Sequence, residues 1–197
     1  GRVGECTDRR AYRLEGVVID QPTTREGGHV FTTVAPPEAV TAGVESERSG
    51  DDSGAIADGE AVPAPRVGDA PRLDCAAFEP TKRFRDRVRA LRVGDRVTVC
   101  GEVSDGTCKL EKFAVRGLVR AEPTTPDCPA CGRSMGSAGR GQGYRCRECG
   151  THAARKPWES VERALERGWY EVPPVARRHV AKPLVRGGFD APTHPER

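Results

Sequence analysis

The sequence predicts a mainly β protein with short helices, and three observations carry that expectation. Five separate runs rich in apolar and β-branched residues read as strands, with one helix-period stretch between the third and the fourth. Two Cys-x-x-Cys pairs then enclose a Gly-rich hairpin. The remainder of the chain is broken by prolines and rich in Arg, with no long helical pattern.

Taken in order, residues 1–10 show no period and read as a truncated or frayed N-terminus. The one methionine is Met135, so either an initiator residue preceded Gly1 or the chain continues upstream in a longer protein. Tyr12, Leu14 and Val17 to Ile19 mark a first strand, closed by Asp20-Gln-Pro22. A second strand runs from Gly27 to Val34. Residues 35–71 lose all periodicity and carry Pro, Gly, Ser and acids without an aromatic residue, the composition of a disordered acidic insert. Leu73 to Phe78 reads as a third strand. Phe84, Val88 and Leu91 then recur at helical spacing, and the helix ends near Gly94. Arg96 to Val103 is a fourth strand, with Gly101 marking a bulge or a bend, and Lys109 to Val119 a fifth. Three strands, a helix and two strands over residues 11–120 give the order of a five-stranded OB-fold barrel.

Cys128-Pro-Ala-Cys131 and Cys146-Arg-Glu-Cys149 are separated by 14 residues, a spacing that matches a tetrahedral zinc ribbon over residues 126–152. Gly132 and Gly150 follow the second cysteine of each pair and supply the positive φ that such knuckles need. Met135 to Ala138 and Tyr144 to Cys146 read as hairpin strands around the turn at 139–143. So short a segment cannot bury enough apolar area to fold alone, and metal binding supplies its folding energy. Two disulfides or a redox Cys-x-x-Cys compete with this assignment, but a redox pair normally opens a helix in a βαβ unit, and none is visible. Four thiolates leave no open position for water, so the zinc is structural. Lys156-Pro-Trp-Glu159 predicts a helix start, with Trp158, Val161 and Leu165 on one face and Gly168 beyond its end. The basic, Pro-broken segment that follows completes a region of helix and tail over 156–190. Beyond Gly187 the composition predicts disorder.

The net charge of +3 conceals an asymmetry. Residues 35–70 hold eight acidic side chains against Arg48 and Arg66, a balance of −6 that leaves +9 on the rest. A basic body of this kind is the footprint of a nucleic-acid binder. Candidate contacts are Arg133, Arg140 and Arg145, with Tyr144 as a possible base stacker or a packing residue, and Arg177, Arg178, His179 and Lys182 in the tail. No phosphate-binding Gly loop, dinucleotide motif or Ser elbow is present, and the four histidines lack partners at catalytic spacing. No catalytic residue is assigned. No signal peptide or membrane-length apolar run is seen, so a cytoplasmic protein is expected, where Cys6, Cys75, Cys100 and Cys108 stay reduced.

Several stretches are familiar together: Gly27-Gly-His-Val30, Cys75-Ala-Ala-Phe-Glu-Pro-Thr-Lys82, Gly94-Asp-Arg-Val97, Gly143-Tyr-Arg-Cys146 and Pro173-Pro-Val-Ala-Arg-Arg-His179. Their order resembles the C-terminal half of the archaeal isoleucine-tRNA agmatinylcytidine synthetases. The resemblance covers most of residues 11–190 outside the acidic insert. It implies an ATP-dependent ligase that attaches agmatine to the wobble cytidine of the CAU-anticodon isoleucine tRNA. It also implies that ATP, Mg²⁺ and agmatine serve the whole enzyme, whose catalytic domain lies upstream and is missing here, so that this chain alone is inactive. The four cysteines carry over as zinc ligands and the basic tail as a tRNA contact. The competing expectation is a free-standing OB-fold and zinc-ribbon protein that binds nucleic acid without catalysis.

Overall fold

Apolar side chains of five strands converge on one interior. The structure, a computed structural model, describes residues 1–41, 66–178 and 182–195. The described residues divide into two units, one of 1–119 with 163–195 and one of 120–162. The first unit begins with β1 (Arg10–Thr24), β2 (Val30–Ala35), the two-residue β3 (Val40–Thr41) and β4 (Arg66–Val67), and β5 (Leu73–Ala77). Helix α1 (Arg83–Arg89), β6 (Arg96–Ser104) and β7 (Thr107–Gly117) follow. Pairings β1–β2, β2–β5, β5–β7, β7–β6 and β6–β1 close a ring, with β5–β7 its parallel seam. That is the strand order of the OB-fold.

Leu14, Val18, Val30, Val34, Cys75, Val97, Val99 and Phe113 fill the interior. The apolar face of α1 adds Phe84 and Val88, with Leu91 just beyond its end, all buried as the spacing predicts. Phe84 meets Phe113 at a ring-centroid distance of 5.5 Å. Gly101 sits at a register shift between β6 and β7, where a Cβ would stand 2.1 Å from the Lys109 carbonyl oxygen. Only a residue without a side chain passes there. The N-terminus is not frayed: Val3 is buried in the core and the Tyr12 hydroxyl accepts the Thr7 N–H at 2.9 Å. The expected disorder over 35–71 falls largely on residues 42–65, outside the described residues. Its described ends instead pair as β3 and β4, Val40 opposite Val67.

The second unit holds β8 (Ala121–Pro123), β9 (Gly136–Ser137), β10 (Tyr144–Arg145), β11 (His152–Ala153) and β12 (Trp158–Ser160). β9 and β10 form the expected hairpin, and β11 adds a third strand that the pattern does not foretell. The helix expected from Lys156 is absent. Residues 158–160 pair with β8, Trp158 opposite Pro123, and the Val161 N–H donates to the Arg120 carbonyl. Cross-strand bonds thus take the backbone groups that a helix would use.

The tail also corrects the expectation. β13 (Gly168–Glu171) joins the first unit's sheet beside β7, with Trp169 and Tyr170 buried, and β14 (Thr193–His194) runs parallel to it. The segment beyond Gly187 is ordered by Phe189 against Trp169 and by a hydrogen bond from Trp169 Nε1–H to Asp190 at 2.8 Å. No helix among the described residues is long and apolar enough to cross a membrane.

Candidate zinc centre and basic surface

Each Cys-x-x-Cys pair folds the same way. The Gly132 N–H donates to the Cys128 carbonyl at 2.8 Å, and the Gly150 N–H to that of Cys146 at 3.1 Å. Both glycines adopt positive φ, 68° and 74°, so the chain reverses within one knuckle. The two knuckles bring the sulfurs of Cys128, Cys131, Cys146 and Cys149 within 4.8 Å of one another. Cys128 to Cys149 is 3.3 Å, Cys131 to Cys146 3.5 Å and Cys131 to Cys149 3.9 Å. A tetrahedron of sulfurs about 2.3 Å from Zn²⁺ has edges of about 3.8 Å, so the donor set fits that ion. When bound, the metal closes the site and cross-links the ribbon. Backbone N–H groups of Cys149 and Glu148 aim at the Cys146 sulfur and lower its pKa, favouring the thiolate that a metal needs. Met135 is buried with Cys128 and Cys146, and the half-buried Tyr144 and Ala153 pack on that cluster.

The candidate nucleic-acid contacts fall into two sets. On the ribbon, Arg133, Arg140 and Arg145 are all exposed, as is Arg147. Arg133 pairs with Glu148 at 2.6 Å. Tyr144 is half-buried and packs against the cysteine cluster. In the tail the charges are engaged within the first unit. Arg177, largely buried, pairs at 2.7 Å with the buried Glu171, and Arg178 pairs with Glu102 and, at 3.2 Å, with Glu111. Lys182 Nζ lies 5.3 Å from the centre of the Phe189 ring. His179 lies outside the described residues.

Two charged clusters escape motif reasoning because their partners are remote in sequence. Arg163 and Asp95, both essentially buried, form a bidentate pair at 2.8 and 2.5 Å. Asp95 also accepts the N–H groups of Arg92 and Val119, and Arg163 donates to the carbonyls of Val119 and Ala90. Asp190 gathers Trp169, Arg116 and Arg13, with both guanidiniums 5.0–5.3 Å from the indole centre. The Trp169 N–H holds the Asp190 carboxyl down to about 2; burial raises it, and Arg116 and Arg13 lower it further. The β-prone run Gly168-Trp-Tyr-Glu-Val172 is the one sequence signal that could have revealed this edge of the sheet.

Comparison with known proteins follows the same residues. The TiaS C-terminal zinc ribbon domain matches residues 125–165. The isoleucine-tRNA 2-agmatinylcytidine synthetase TiaS of Haloquadratum walsbyi is 52% identical over 204 residues, covering 100% of this chain and 44% of that protein. A crystal structure of TiaS in complex with isoleucine tRNA and ATP superposes with a TM-score of 0.68 at 38% identity, covering 100% of this chain and 39% of the other. A complex of TiaS with isoleucine tRNA, AMPCPP and agmatine gives 0.66 at 35% identity, with 100% and 38% coverage. The chain thus spans less than half the length of the relatives it matches. Over its whole length the chain is similar to part of TiaS, and its residues 125–165 match the C-terminal zinc ribbon domain of that family.

Proposed function

We propose that this chain is the RNA-gripping portion of an ATP-dependent ligase that attaches agmatine to the wobble cytidine of the CAU-anticodon isoleucine tRNA. The observation that carries it is the 52% identity, over the whole chain, with an isoleucine-tRNA 2-agmatinylcytidine synthetase. The exposed arginines of the ribbon and the OB-order ring agree with a surface that neutralises phosphates. Solved TiaS complexes contain isoleucine tRNA with ATP, or with AMPCPP and agmatine. ATP, Mg²⁺ and agmatine belong to the proposal for the whole ligase, of whose relatives this chain spans less than half. Cytoplasm is the compartment that fits a tRNA substrate and reduced thiols.

Competition binding tests the proposal. The zinc-loaded chain should bind the CAU-anticodon isoleucine tRNA with a log affinity that falls linearly with log salt, and should prefer it to an unrelated tRNA. A flat salt plot would remove phosphate neutralisation. Equal binding of every tRNA would favour a free-standing, unselective binder.

A further inference from the structure

Beside the metal centre the ribbon carries an open depression of about 590 Å³, within the roughly 300–1,000 Å³ usual for small-ligand sites. Its charged lining is Arg145, Arg147 and Glu148, and Ser137, Gln142 and His152 add donors and acceptors. The one carboxylate is already compensated, since Arg133 pairs with Glu148 at 2.6 Å. Arg145 and Arg147 have no ion pair among the described residues. Both guanidiniums lie beside glycines of the ribbon. A Cβ at Gly150 would stand 3.7 Å from Arg145 Nη2, and one at Gly136 would stand 3.5 Å from Arg147 Nε. The result is a concave, polar wall with two uncommitted positive forks.

We propose that this depression takes one unpaired nucleotide of an RNA, with its phosphates on Arg145 and Arg147 and its base edge toward Ser137, Gln142 and His152. The inference rests on the RNA-binding function proposed above and gives it a place and a ligand unit. Forked guanidiniums match phosphate oxygens in bidentate geometry. Base edges need both donors and acceptors, which the Ser, Gln and His side chains supply. A paired nucleotide cannot enter, because its edge is spent on its partner and its ring is held in the stack.

The test compares an RNA hairpin bearing an unpaired loop with a blunt RNA duplex of equal charge. Both are titrated against the zinc-loaded chain and against Arg145→Gln, Arg147→Gln and the double variant. Zinc content is measured for each, to show that the ribbon is intact. The wild type should prefer the hairpin. The double variant should lose that preference, and its salt slope for the hairpin should be shallower by about 1.4, roughly 0.7 per lost phosphate contact. Equal wild-type binding of hairpin and duplex overturns the pocket and leaves general RNA binding standing. A zinc-loaded double variant with the wild-type preference and slope overturns it too. Failure of the wild type to bind either RNA at low salt overturns both the pocket and the RNA-binding function.

Discussion

At the scale of single residues, three side chains have defined consequences. Asp95 holds the Arg163 guanidinium where water does not reach, and removal of one partner leaves the other charge uncompensated. Breaking such a pair typically costs about 3–5 kcal/mol. Asp95→Ala should therefore lower the unfolding free energy by that amount in a denaturant titration, whereas the exposed pair of Arg89 and Asp86 should contribute about 1 kcal/mol or less. Asp190 has its folded pKa depressed to about 2, below the ordinary 3.8. A depressed carboxyl stabilises the fold above its unfolded pKa and loses that contribution as pH falls through the folded value. The melting-temperature gap between wild type and Asp190→Asn should be constant above about pH 5 and should shrink between about pH 4 and about pH 2. A gap that persists at the acid end would mean that the contact does not depend on charge. Cys146→Ser removes one of four sulfurs, and elemental analysis should find its zinc lost.

At the scale of elements, α1 shows what sequence makes legible. Phe84, Val88 and Leu91 recur at helical spacing, and all three are buried. Phe84→Ala should destabilise the first unit by about 3–5 kcal/mol, read by its thermal or denaturant transition. The ring strands were equally legible as apolar, β-branched runs bounded by turn residues. The segment after the ribbon was not. Trp158, Val161 and Leu165 satisfy a helical face, but the backbone of 158–161 is captured by residues 120–123, and Arg163 is captured by Asp95. Those partners lie 35 or more residues away, beyond the reach of any local pattern. The same holds for β13, whose Trp169 and Tyr170 complete a sheet begun far upstream. Trp158 is 42% exposed and Trp169 is buried at 1%. Acrylamide should therefore quench one tryptophan population readily and leave the other protected; in Trp158→Phe only the protected one should remain.

At the scale of the whole molecule, the convergence of Cys128, Cys131, Cys146 and Cys149 was legible in their paired spacing, and the structure brings their sulfurs within 4.8 Å of one another. The candidate RNA contacts rest in the sequence on a charge excess alone. The structure distributes that charge unevenly, with Arg177 and Arg178 engaged by Glu171, Glu102 and Glu111, and Arg140, Arg145 and Arg147 exposed on the ribbon. The first unit has its own apolar core, whereas the second buries little beyond Met135 and two cysteines. Zinc held by the four cysteines would stabilise the second unit, on the order of 10 kcal/mol in comparable peptides. The most direct measurement is the affinity of the zinc-loaded chain for the CAU-anticodon isoleucine tRNA at low salt, before and after chelation, with circular dichroism recorded on the same samples. Tight binding that drops with the metal, while the melting transition of the five-stranded ring persists, is the expected result. Unchanged affinity in fully zinc-free protein, or no affinity with the metal in place, would contradict it.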